Sequence, residues 1–198
     1  ITTTAGKLTI AAAEKFTIAL ADDEAYTYDG AAHHNANTAT SDAATGTTTF
    51  QYQFDGDGET WVSDLTSLAK TDAGSYTINV KATNPNYSKA ATTTAKLTIA
   101  KRAITLTSAS DRKFYDGTAL TANTVTVTEG SYANDESFQY DVTGSQTEVG
   151  ESDNEFTYRA TSDASSAKVE NYEVTLVKGK LTVDPVVTFV MNGHGTQV

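Results

Sequence analysis

One phrase closes three stretches of this sequence: Gly6-Lys7-Leu8-Thr9-Ile10, Ala95-Lys96-Leu97-Thr98-Ile99 and Gly179-Lys180-Leu181-Thr182-Val183. The copies stand about 85–90 residues apart, a spacing that suits one small domain per copy. Within the phrase, apolar residues alternate with Lys and Thr, which is the period of a strand with one face on a core. A chain of 198 residues thus reads as two small domains. Each is near the size at which a core sustains itself without a disulfide or metal.

Other segments recur in the same order. Phe16, Ile18 and Leu20 alternate with polar or small neighbours, as Ile104 and Leu106 do. Tyr28-Asp29-Gly30 matches Tyr115-Asp116-Gly117, and Asp-Gly after an aromatic predicts a turn in which Gly takes a positive φ. Phe50-Gln51-Tyr52 matches Phe138-Gln139-Tyr140, Ala82-Thr83 matches Ala160-Thr161, and Asn86-Tyr87 matches Asn171-Tyr172. Insertions fall between these segments, where loops tolerate them. No window has sustained helical periodicity with caps; residues 64–70 allow one short turn. Asp72-Ala73-Gly74-Ser75-Tyr76 has the form of a tyrosine corner, whose phenol bonds the backbone upstream. The predicted core comprises Phe50, Tyr52, Phe54, Tyr76, Ile78, Val80 and Leu97 in copy one. In copy two it comprises Tyr115, Phe138, Tyr140, Phe156, Tyr158, Tyr172, Val174 and Leu181.

The fold expected is all-β: two tandem immunoglobulin-like β-sandwich domains, with a β-grasp-like unit as the alternative if residues 64–70 cross a sheet as a helix. The boundaries read as 1–13, the last strand of a preceding repeat or an N-terminal extension; 14–100, repeat one; 101–184, repeat two; and 185–198, the truncated start of a following module. With almost no linker at Lys101, a semi-rigid tandem is expected.

The formal net charge is −11, and no basic stripe offers a nucleic-acid interface. Such a surface is solvated and resists self-association, which predicts a monomer. The chain has no cysteine, which excludes disulfides and thiolate metal sites. No apolar run has the length of a membrane span, so no membrane insertion is expected in this segment.

The segments Lys113-Phe114-Tyr115-Asp116-Gly117-Thr118, Tyr140-Asp141-Val142-Thr143-Gly144 and Asn171-Tyr172 with the closing Gly179-Lys180-Leu181-Thr182-Val183 resemble the Tyr-Asp-Gly-type and MBG-type immunoglobulin-like repeats of large extracellular bacterial proteins. Copy one, with Phe54-Asp55-Gly56-Asp57-Gly58-Glu59-Thr60-Trp61 and Thr71-Asp72-Ala73-Gly74-Ser75-Tyr76, is similar to them. It lacks the Lys-x before its Tyr-Asp-Gly. The tail Val187-Thr188-Phe189-Val190-Met191-Asn192-Gly193-His194-Gly195-Thr196 resembles the start of a listerial B-repeat module. The resemblance implies a repeat region of a cell-surface or secreted protein, extracellular, that serves as a stalk in adhesion. Two other roles go with it: a directly adhesive module for a host glycoprotein or glycan, or an accessory domain of a secreted carbohydrate-active enzyme. Neighbouring repeats of the same chain are the expected partners.

Candidate chemistry resolves into structural readings. Asp55-Gly56-Asp57-Gly58-Glu59 clusters oxygens that hard cations favour, but lacks EF-hand spacing; a tight hairpin with Trp61 returning to the core is expected instead. His33-His34 on an extended backbone point to opposite faces and chelate poorly. The acids Asp22-Asp23-Glu24, Asp135-Glu136 and Glu151-Ser152-Asp153 cluster in expected turns and do not form a convergent pair. An internal Lys–Asn isopeptide bond would need Lys15 or Lys113 beside Asn86 or Asn171. Trp61 and Tyr132 alone escape assignment to a strand core and could form a sugar-stacking platform. Adhesive loops, if present, would be 31–48 or 161–170. No catalytic, cofactor-binding or metal residue is assigned, no cofactor is expected, and the chain is read as a non-enzyme.

Overall fold

The computed structural model describes residues 11–56, 58, 60–161 and 166–188. The chain divides into two compact units, Ile1–Lys101 and Arg102–Val198. Both are all-β. Among the described residues the only helical segments are two three-residue 3-10 turns, Leu65–Ser67 and Val169–Asn171. The β-grasp alternative therefore lacks its crossing helix. Residues 64–70 make only the first of these turns, capped by Asp64, whose side chain accepts the Thr66 N–H. The first closing phrase, residues 6–10, and most of the tail, including His194, lie outside the described residues.

Unit 1 contains β1 (Ile18–Ala19), β2 (Asp23–Thr27), β3 (Thr40–Ser41), β4 (Thr49–Phe54), β5 (Gly74–Thr83) and β6 (Ala91–Ala100). Its main sheet has the order β2-β6-β5-β4. Strand β6 is antiparallel to β5 and parallel to β2. Alternation decides which face is inward: Ile78, Val80, Ala95, Leu97 and Ile99 are buried while their neighbours are not. Onto that face pack Leu20 and Ile18 from the β1 side, Ala39 just before β3, and Leu65 and Leu68 from the 3-10 turn. Two layers thus enclose one interior. Each fully buried large side chain contributes about 1.5–3 kcal/mol.

The tyrosine corner is present. Tyr76 Oη donates to the Asp72 carbonyl at 2.7 Å. The phenol lies against Gly74, where a Cβ would stand 3.1 Å from the ring, so the glycine of the motif provides room for the tyrosine. Trp61 departs from expectation. Val62 bridges Tyr52 and packs on the core, so alternation turns Trp61 to the outer face, where Lys81 Nζ stands 5.7 Å from its ring.

Unit 2 contains β7 (Arg102–Ser108), β8 (Asp111–Phe114), β9 (Val125–Gly130), β10 (Gln139–Val142), β11 (Gly150–Asp153), β12 (Phe156–Arg159), β13 (Tyr172–Val177) and β14 (Lys180–Asp184). What unit 1 builds as the continuous strands β5 and β6 is interrupted here. Strand β11 still pairs antiparallel with β14, but β12 pairs with β10, and β13 leaves to run parallel beside β7. The interior holds Ile104, Leu106, Phe156, Leu181 and Val183. It also holds an aromatic cluster: Tyr132 and Phe138 both stand edge-on to Tyr172 at 5.5–5.6 Å, and Phe138 stacks at a tilt on Tyr158. Tyr132, half-buried, thereby packs into this cluster. Tyr115 is a correction in the other direction. Its N–H bonds the Asp184 carbonyl at 2.8 Å, but its ring is 40% exposed beside Phe114 at 69%; a backbone bond holds it and core packing does not.

Tyr132 Oη is 2.7 Å from Tyr140 Oη, and burial, reinforced by that bond, pushes its phenol well above the ordinary tyrosine range. A raised pKa gives stability that is complete below the unfolded value of about 10 and lost as pH rises toward the folded one. Unit 2 should therefore lose denaturant stability progressively above about pH 10, and Tyr132→Phe should flatten that slope. An equal alkaline slope in the variant would contradict this account of the cluster.

Candidate functional site: the paired terminal strands

In both units the entering chain runs parallel to the departing chain and is hydrogen-bonded to it. In unit 2, six register pairs join β7 to β13, from Tyr172–Arg102 to Val177–Thr107. Four more join β8 to β14, from Leu181–Asp111 to Asp184–Phe114. In unit 1, Asp23 pairs with Leu97, Tyr26 with Ile99 and Thr27 with Ala100, and Ala13 bridges Tyr87, also parallel. Between Asp23 and Tyr26 the register shifts by one residue. This bulge accounts for a drift between the copies: Asp23 and Asp111 face equivalent leucines, yet Tyr28-Asp29-Gly30 and Tyr115-Asp116-Gly117 are one residue closer in number. The recurring Lys-Leu-Thr phrase is the departing half of this ladder. Leu97 and Leu181 are completely buried, and Lys96 and Lys180 point to solvent.

The entering chain jogs midway, at residues 20–22 and 109–110, and the jog would strand backbone polar groups. Side chains satisfy them. Lys96 N–H donates to Asp22 Oδ1 at 2.8 Å, and Lys180 N–H to Ser110 Oγ at 2.9 Å. In unit 1, Asn35 Nδ2 donates to the Ala21 and Lys96 carbonyls at 2.9 and 3.0 Å, and its Oδ1 accepts the Asn37 N–H. In unit 2, Asn154 Nδ2 donates to the Ala109 and Ala122 carbonyls at 2.8 and 2.7 Å. Ser108 Oγ donates to the Asn154 carbonyl and accepts the Gly179 N–H. Asn35 and Asn154 are 1% and 0% exposed. The packing is tight: a Cβ on Gly179 would lie 2.4 Å from the Ser108 and Ala109 carbonyl oxygens, and one on Gly144 2.1 Å from Asn154 Oδ1.

The acids of the sequence are spent on similar tasks. Asp23 is buried and begins β2, with its carboxylate accepting the Ala25 and Ala36 N–H groups. Asp22 and Asp23 are thus acceptors for the backbone and do not form a solvated turn. Asp29 and Asp116 each accept the N–H two residues on, and Gly30 and Gly117 take φ of +80° and +78°. Glu136 accepts the Tyr172 hydroxyl at 2.7 Å. Glu151 and Asp153 meet Lys180 across β11–β14, and Arg112 grips Asp184 with two nitrogens across β8–β14.

His33 is the histidine with a defined partner: Nε2 is 2.8 Å from Asp29 Oδ1, and the ring stacks on Tyr26 at 4.2 Å. It bridges Lys70, as Leu120 bridges Gln146, and so fills the place of an apolar residue in the other unit. The 31–48 segment is largely structural through His33, Asn35 and β3; part of 161–170 lies outside the described residues. Lys113 donates to Asp116 Oδ1, the Thr118 carbonyl and Thr118 Oγ1 at 2.6–2.7 Å. All three ammonium donors are committed there, and none is left to a side-chain amide. Asp57 and Glu59 lie outside the described residues. Among the described residues no group of three or more His, Asp or Glu is placed to hold a metal, and no helix is long and apolar enough to cross a membrane. The surface recesses are open; one of ≈ 500 Å³ is lined by Arg112, Lys113, Phe114, Asp184 and Pro185.

No family model matches the chain, and no curated protein matches it.

Asn154→Ala would leave the part-buried Ala109 and Ala122 carbonyls without their donor. It should destabilise unit 2 by roughly 2–4 kcal/mol in chemical denaturation, and a loss under 1 kcal/mol would remove Asn154 from this role. Ion pairing also sets acid stability. Lys113, with the Thr118 N–H and hydroxyl, holds the Asp116 carboxyl far below the ordinary range, Lys180 lowers Asp153, and Arg112 lowers Asp184. Depressed carboxyls give stability that is present above the unfolded value of about 4 and lost as pH falls through the folded values. The denaturation midpoint of unit 2 should fall as pH drops below about 4, less steeply in Asp116→Asn. A midpoint constant from pH 5 to pH 2 would refute it.

Proposed function

We propose that this chain is a non-catalytic, load-bearing spacer: a stretch of repeat modules in a bacterial cell-surface or secreted protein that acts as a stalk in adhesion. The observation that carries this reading is the parallel pairing of entering and departing chain in both units. When the two ends of such a unit are pulled apart, the paired strands are loaded along their length. The ladder bonds lie across the force and share it, so they must fail together and cannot unzip singly. Lys101 alone separates β6 from β7, so tension passes from one ladder to the next with little slack. The resemblance to Tyr-Asp-Gly-type and MBG-type immunoglobulin-like repeats supports the same role and an extracellular location. So does the β2-β6-β5-β4 order with a tyrosine corner at the start of β5, an arrangement in keeping with an immunoglobulin-like sandwich. Among the described residues, Asp22, Asp23, Asp29, Asp116, Glu136 and His33 are engaged by backbone groups, turns and neighbouring side chains.

Stretching the two-unit chain in a force spectrometer should give two separate unfolding events. Each should release about 300 Å of contour, less the folded length, for some 85 residues at ~3.5 Å per residue. Unit 2, with the longer ladders, should fail at the higher force, and unit 1, whose short ladder is interrupted by a bulge, at the lower. A single event, failure at forces typical of unzipping, or hydrolytic activity in the purified chain would overturn the reading.

A further inference from the structure

We propose that the outer face of the unit 1 sheet beside Trp61 is a binding site for a pyranose ring of a glycan. Trp61 is the only tryptophan of the chain, and it lies outside the core on the face that alternation gives to Asn79, Lys81, Thr92 and Thr94. Register draws these residues into rows across the sheet: Gln53 pairs with Asn79 and Asn79 with Thr94, while Lys81 pairs with Thr92. A recess of ≈ 470 Å³ opens there, lined by Trp61, Asn79, Thr92 and Thr94 with the intervening strand backbone. That size is within the range of small-ligand sites.

One indole surrounded by amides, hydroxyls and one ammonium is poorly suited to an apolar peptide anchor, which would need further apolar walls. It matches a pyranose, whose C–H face packs on an aromatic ring and whose hydroxyls donate and accept like the Asn and Thr side chains beside it. Lys81 Nζ, 5.7 Å from the indole centroid, reaches a hydroxyl or a carboxylate on the stacked sugar.

The single tryptophan makes the test direct. The intact two-unit chain is titrated with soluble oligosaccharides, neutral (lactose, maltose, chitobiose) and acidic (sialyllactose, a hyaluronan tetrasaccharide), up to about 10 mM, where weak single-sugar contacts register. At least one sugar should shift the Trp61 emission saturably. Asn79→Ala and Thr94→Ala keep the fluorophore, and each should weaken that sugar by about tenfold; the surface change Thr94→Ala covers the case in which Asn79→Ala fails to fold. Lys81→Gln should weaken binding in the acidic arm if it pairs with a carboxylate, and in both arms if it bonds hydroxyls. No shift with any sugar, or a shift that all three variants leave unchanged, would overturn the site. The site does not rest on the load-bearing reading: an absent sugar response leaves the force prediction intact, and the reverse holds equally.

Discussion

The parallel alignment of the chain's entry with its exit is the constraint on which both units depend. A parallel pair cannot be closed by a hairpin, so everything between the two strands must form the rest of the domain and bring the end back beside the beginning. The entering chain also jogs midway, and a jog in a buried strand exposes backbone donors and acceptors to an apolar interior. The fold is possible because those groups are met by side chains at the jog; in unit 2 the site is so close that glycine is required at 144 and 179.

The two units reach this solution with different residues. The carboxylate of Asp22 does in unit 1 what the hydroxyl of Ser110 does in unit 2. The buried amide comes from Asn35, just after the Tyr-Asp-Gly turn, in one case. It comes from Asn154, between β11 and β12, in the other. The hydrogen-bonding requirement belongs to the backbone geometry, and the sequence is free to supply it from wherever the chain passes near. Tyr87 and Tyr172 are the opposite case: matched residues in the two units, their hydroxyls accept the N–H of Ala44 and Ala133.

A module organised this way commits its polar chemistry to architecture. Acids satisfy amides and lysines, histidine takes an apolar slot, and the aromatic rings of unit 2 pack on one another. That economy fits a structural element whose task is to stay folded under load. The outer face beside Trp61 differs, because there an indole lies outside the core beside a row of amide and hydroxyl side chains and one ammonium.

The sequence alone determined the all-β character, the strand segments and the turns, since period-two alternation and Asp-Gly chemistry are local. Thr49–Phe54 is β4 and Gly30 takes its positive φ for reasons that a few neighbouring residues contain. The Asp72-x-Gly-x-Tyr motif also announced its own hydrogen bond. Tertiary structure decided what depends on partners distant in sequence: that Asn35 and Asn154 are buried nodes, that Asp22 and Asp23 serve the backbone, that β13 leaves its neighbour for β7, and that Tyr115 is exposed while Tyr132 packs in the aromatic cluster. Nothing local marks a polar side chain as the one that meets a stranded carbonyl tens of residues away. Only the folded backbone creates that carbonyl's need.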